Sequence, residues 1–150
     1  MTSKNTEIHL FRHGETDWNV EGRFQGIEVS KLTEKGVLQA KKLGNKLKNI
    51  KFDNIYSSPS LRTKQTAYNI WPNKKDKIRF LDELVEIRLG RLEGKLYSEI
   101  KENDFISYDH FFNKPHLFSV EGAENFKELT NRAFKIITKL SENNIGGRIA

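Results

Sequence analysis

Three short β-prone runs, residues 7–12, 53–57 and 78–81, alternate with stretches that read as helix, and this order is the strongest constraint on the fold. Residues 34–49 place Val37, Ala40, Leu43 and Leu47 at three- and four-residue steps, with Thr33 as the expected N-cap. The run SSPSLRTKQTAYNIW opens a second helix, with Ser58 expected as cap and Pro59 at the first helical position. Residues 96–103 suggest a short helix, and 104–120 read as irregular and rich in aromatics. Residues 124–142 are the clearest helix, with Phe126, Leu129, Ala133, Ile136, Ile137 and Leu140 in one apolar stripe. Strand and helix in alternation imply an α/β layered fold with a largely parallel sheet.

The chain has 150 residues, enough for one domain with a real core but not for two, so residues 1–150 are read as a single domain. No stretch approaches the roughly 18 apolar residues of a membrane span. The first residues hold no apolar run of signal-peptide length, and the expected location is cytoplasmic. There is no cysteine, which removes disulfides, thiolate nucleophiles and cysteine-based metal sites together. The four histidines form no HxxH or HExxH pair, so neither a metal nor another cofactor is expected.

The formal net charge is +6. Lys35, Lys41, Lys42, Lys46, Lys48 and Lys51 account for much of it and recur along one helix, as on a solvated face. Basic residues are not interleaved with aromatics, so neither nucleic acid nor a membrane is the expected partner.

In a parallel sheet, ligands sit beyond the carboxyl ends of the strands. Arg12 and His13 lie at that end of the first strand, and Ser57 and Ser58, leading to Arg62, at that end of the second. Two guanidiniums offer forked donors that match phosphate oxygens. They also disfavour a charged imidazole and keep His13 neutral and nucleophilic. A backbone carbonyl just after the strand would fix the reactive tautomer. Gly14 lets the loop approach closely, and Asn19 can donate an amide hydrogen. Such a crevice suits phosphoryl transfer onto His13 and then to water.

The segment FRHGETDWN, residues 11–19, resembles the signature of the histidine phosphatase superfamily, the phosphoglycerate-mutase-like proteins. GRFQG (22–26), LTEKGVLQA (32–40), IYSSPSLRTKQTA (55–67), LVEIRLGRLEG (84–94) and EGAENF (121–126) resemble further family segments in family order. The resemblance implies a three-layer α/β/α sandwich, His13 as the residue that becomes phosphohistidine, and Arg12 and Arg62 as a phosphoryl clamp. Asn19 would also contact the phosphoryl group, and the Gln25–Gly26 turn would border the substrate. Glu86 would donate a proton to the leaving oxygen, a role favoured by a phosphate dianion bound beside it. The substrate would be a small phosphorylated metabolite. His9, His110 and His116 are read as ordinary loop or surface histidines, and Trp18 and Phe24 as packing residues.

The family pattern also carries a second histidine after a late apolar strand, and no residue here matches it. After the last helix stands SENNIGGRIA, in which NNI and GGRIA read as two sides of a strand-and-loop with its middle removed. The expectation is a domain incomplete at its C-terminal side, with an unpaired edge at Ile8–Leu10 that a homodimer would cover by strand exchange. Three functions follow from the resemblance. A phosphomonoesterase comes first, since Glu86–Gly90 and Gln25–Ile27 depart from the mutase patterns ERHYG and SGW. A phosphoglycerate-mutase-type isomerase and a catalytically impaired phosphate-binding protein are the alternatives.

Overall fold

In the computed structural model, which describes residues 5–150, four short strands form one parallel arrangement. β1 (Glu7–Ile8) pairs with β4 (Arg148–Ile149), and β2 (Ile55–Ser57) pairs with β3 (Ile78–Phe80). A parallel bridge between Asn54 and Ile149 joins the two pairs in the order β1-β4-β2-β3. Six α-helices accompany the strands among the described residues: α1 (Asp17–Glu21), α2 (Glu34–Leu47), α3 (Leu61–Ile70), α4 (Tyr97–Asn103), α5 (Phe105–Asn113) and α6 (Phe126–Glu142). None of them is long and apolar enough to cross a membrane.

Side-chain alternation in the strands sorts the helices into layers. Ile55 and Ile78, opposite each other in register, pack with Ala40 and Leu47 of α2 and Ala67 and Ile70 of α3. Tyr56 and Ile149 face the other way and meet Ile136 and Leu140 of α6. Helices therefore cover both faces, and the expected three-layer α/β/α arrangement is what forms. A further apolar cluster, built on Phe24, Leu89, Leu92, Ile100 and Phe118, lies under α4 and α5.

The caps explain where the helices begin. Thr33 accepts from the Gly36 amide, as its sequence position implies. Asn125 and Glu128 form a reciprocal capping box that starts α6 at Phe126 instead of residue 124. α3 starts at Leu61, with Ser60 at the N-cap position, so Ser58 and Pro59 fall before it. The stretch expected to be irregular contains α5, whose N-terminus is capped by Asp104 through the Ser107 amide. Its aromatic run hides a helical pattern because Tyr108, Phe111 and Phe112 pack on several sides, leaving no clean polar face.

The expectation of an unpaired first-strand edge is corrected. Asn144 to Gly147 form the turn after α6, and Arg148–Ala150 enter the sheet between β1 and β2. The Glu7 amide donates to the Gly147 carbonyl at 2.9 Å and the His9 amide to the Ile149 carbonyl at 2.9 Å. On the other side the Asp53 amide donates to the Arg148 carbonyl at 2.8 Å and the Tyr56 amide to the Ala150 carbonyl at 2.8 Å. Arg148–Ala150 of the GGRIA segment thus lie in a strand between β1 and β2. Of the stretch Ile8–Leu10 expected to be unpaired, Ile8 and His9 are paired with β4, while Leu10 is 80% exposed.

Candidate active site

The carboxyl ends of the parallel strands point to one rim, and two loops leave it. From β1 the chain passes through Phe11 to Arg12, His13 and Gly14. From β2 it passes through Ser58, Pro59 and Ser60 into α3, which carries Arg62 in its first turn. The Gly14 amide donates to the Thr66 hydroxyl of α3 at 3.0 Å, tying the first loop to the second. α2 closes the other side: a Cβ built on Gly14 would lie 2.5 Å from the Gly36 carbonyl oxygen, so only glycine fits there.

His13 is partly buried, and its Nδ1 lies 2.8 Å from the Gly14 carbonyl oxygen. A carbonyl can only accept, so Nδ1 carries the proton and the neutral ring keeps a bare lone pair on Nε2. Burial holds the imidazole below the usual histidine range. The hydrogen bond to Gly14 opposes this, the charges of Arg62 and Arg12 reinforce it, and the Glu86 carboxylate opposes it.

Arg62 is 2% exposed. Its Nη2 donates to the Gly26 carbonyl at 2.6 Å and its Nη1 to the Glu28 carbonyl at 3.4 Å, while the buried Nε has no hydrogen-bond partner among the described residues. Burial lowers its proton affinity, and Glu86 and Glu93 support the charge. Arg12 is exposed, and its field reaches His13, Arg62 and the Tyr97 hydroxyl. Glu86 is exposed as well, its Oε1 accepting from the Ile87 amide at 2.9 Å.

Asn19 and Gln25 are tied into the loop scaffold. The Asn19 Oδ1 accepts from the Thr16 amide at 3.1 Å, completing a capping box at the start of α1. Its Nδ2 donates to the Gln25 Oε1 at 3.4 Å, and the Gln25 Nε2 donates to the hydroxyls of Thr16 at 2.7 Å and Ser30 at 2.5 Å. The expected set is therefore linked: Asn19 to Gln25 by a hydrogen bond, Gly26 to Arg62 by another, and Arg12 and Glu86 each to His13 and Arg62 through their charges. A cavity of about 220 Å³ reaches His13 from the apolar side, past Leu10, Tyr56 and Leu84, and the two arginines do not line it.

Phe24 is buried and Trp18 packs over Gly94, as expected of packing residues. Three supporting groups escaped the sequence reading. Thr66 is one. Glu93 is another, its carboxylate accepting from the amides of Ile27, Glu28 and Leu89 and so fixing the loop that Arg62 holds from below. The third is the Glu124–Arg132 ion pair. Glu93 and Glu124 stand in the quoted segments LVEIRLGRLEG and EGAENF, which were the available signal.

Residues 8–150 match the model of the histidine phosphatase superfamily, branch 1. The chain is 36% identical over 126 residues to phosphoserine phosphatase 1 of Hydrogenobacter thermophilus, a match covering 84% of this chain and 60% of that protein. It is 33% identical over 157 residues to a metal-independent phosphoserine phosphatase of Arabidopsis thaliana, covering 99% of this chain and 64% of that one. It thus spans less than two thirds of the length of these curated relatives. The solved structure of Bacillus stearothermophilus YhfR superposes with a TM-score of 0.91 at 38% identity, covering 96% of this chain and 71% of that one. The strand order, the RHG loop at the sheet rim and these likenesses agree: the chain belongs to the histidine phosphatase superfamily, branch 1.

Proposed function

We propose that this chain carries out phosphoryl transfer from a small phosphomonoester through a phosphohistidine on His13. The observation that supports this most is the Nδ1 hydrogen bond to the Gly14 carbonyl, which leaves Nε2 as the bare nitrogen. The Nε2 lone pair attacks phosphorus, the bond to the ester oxygen breaks, and Glu86 gives its proton to that oxygen. Water then attacks phosphorus, the P–N bond breaks, the water proton passes to the Glu86 carboxylate, and inorganic phosphate leaves. Arg12 and Arg62 hold the phosphoryl oxygens, Asn19 contacts the same group, and Gln25 and Gly26 border the ester.

Two of the relatives named above are phosphoserine phosphatases, which makes O-phosphoserine the first substrate to test. We place the reaction in the cytoplasm, as the cysteine-free chain asks for no oxidising compartment. The decisive experiment is a screen of phosphorylated metabolites with the unmodified chain and its His13→Ala variant, run beside an assay of 3-phosphoglycerate isomerisation. Hydrolysis by the unmodified chain alone supports the reading. Equal hydrolysis by both proteins refutes the nucleophile, isomerisation without hydrolysis favours the mutase, and phosphate binding without phosphohistidine favours a binding protein.

A further inference from the structure

Glu86 is exposed, and among the described residues its carboxylate has one hydrogen bond, accepted from the amide of the next residue, so the aim of its carboxyl depends on the backbone beneath it. That backbone is held on both sides. The Arg132 Nη1 donates to the Glu83 carbonyl at 2.8 Å and to the Val85 carbonyl at 3.0 Å. Past Glu86, the Arg88 carbonyl accepts from the Glu124 amide at 2.8 Å. Only Glu86 and Ile87 lie between these anchor points.

The two anchors are locked to each other. Arg132 Nε and Nη2 donate to the two oxygens of Glu124 at 2.9 and 2.6 Å, and Glu124 is 3% exposed. The bidentate fork fixes the guanidinium plane, which leaves Nη1 aimed at the carbonyls. Arg132 stands on α6, whose Phe126 and Leu129 pack on the cluster under α4 and α5, while Ile136 and Leu140 pack on the sheet. The clamp therefore rests on an element rigid at both ends.

We infer that Arg132, locked by Glu124, is a positioning residue: its guanidinium fixes the backbone just before Glu86, at Glu83 and Val85, while the Glu124 amide holds Arg88 just after it, and so the pair aims the Glu86 carboxyl at the leaving oxygen. The inference rests on Glu86 being the proton donor. The Glu86 carboxylate supports the charge of Arg132, the residue whose guanidinium holds the backbone before it.

The test compares phosphohistidine formation from two donors, p-nitrophenyl phosphate and O-phosphoserine. The aryl oxygen departs without a proton, whereas the alkyl oxygen needs one, so a misplaced acid lowers the alkyl-to-aryl rate ratio. A general loss of structure lowers both rates together and leaves the ratio unchanged. Glu86→Gln should lower the ratio by roughly 100-fold, and Arg132→Gln by roughly tenfold or more. Arg132→Lys keeps the charge but loses the fork, and its ratio should fall with that of Arg132→Gln.

Removing one partner strands a buried charge, so the double variant Glu124→Leu/Arg132→Met, which removes both, guards against a variant that does not fold. It should show the same fall. A normal ratio in Arg132→Gln or in the double variant, or its recovery in Arg132→Lys, overturns the clamp while Glu86→Gln remains selective. A Glu86→Gln ratio equal to that of the unmodified chain, or no phosphohistidine from either donor, overturns the proton-donor reading on which the clamp rests.

Discussion

Gly14 and Gly36 meet backbone to backbone. A Cβ on Gly36 would lie 2.1 Å from the Glu15 carbonyl oxygen, and one on Gly14 would lie 2.5 Å from the Gly36 carbonyl oxygen. The first turn of α2 thus forms the wall against which the His13 loop is pressed. Neither backbone can yield without moving His13, since the Gly14 amide is also bonded to Thr66.

Gly36→Ala therefore pushes the loop off its seat. The substitution is favourable for an isolated helix by about 1 kcal/mol, yet here overpacking should leave a net loss of about 1–3 kcal/mol. Urea unfolding reads this as a lower midpoint at unchanged slope. Phosphoryl transfer should fall further than stability alone explains, because the displaced carbonyl of Gly14 no longer orients the ring. An unchanged midpoint would mean that the close approach is not a constraint.

Arg62→Lys separates charge from geometry. Lysine keeps the positive charge but cannot hold the Gly26 carbonyl with one nitrogen and present a second donor to an anion. Loss of one charge-assisted hydrogen bond, worth roughly 1.5–3 kcal/mol, should weaken inorganic phosphate binding by roughly tenfold to 100-fold. Isothermal titration with phosphate measures it, and undiminished affinity in Arg62→Lys rules out the forked clamp.

The protonation of His13 has a defined sign. Its native value lies below the unfolded value of 6.5, because burial and the two guanidiniums oppose the charge. As pH falls through 6.5 the unfolded chain takes up a proton that the native chain refuses. Stability contributed by this residue is thus present above pH 6.5 and is lost as pH falls through the native value. In His13→Asn that component of the slope should vanish between pH 7 and 5.5, above the range where Glu124 and the other paired carboxylates begin to protonate. The acid limb of phosphohistidine formation should likewise lie below pH 6.5. Parallel stability curves for the two proteins would contradict this.

The layered fold was legible because amphipathic helices alternate with short apolar runs, and each run needs only a few residues to declare itself. β4 was not, since Arg148–Ile149 carries no periodicity and its place is set by hydrogen bonds to Glu7, His9, Asp53 and Tyr56, far away in sequence. α5 was missed because a run apolar on several sides shows no stripe. Arg12, His13 and Asn19 stand close together at a strand end, where residue chemistry suggests a site, while Gln25, Gly26 and Glu86 entered through the family resemblance. Thr66, Glu93 and Arg132 act on backbone amides and carbonyls of distant segments, and a side-chain pattern records nothing of such partners.

The most direct measurement is the chemical identity of the trapped intermediate. The chain is mixed with a phosphomonoester, quenched in base to preserve phosphoramidates, and examined by phosphorus NMR and peptide mass spectrometry. The account predicts one phosphohistidine, on His13, with phosphorus on Nε2. Phosphorus on Nδ1, on His9, His110 or His116, or on none of the histidines while the ester is still cleaved, would contradict it.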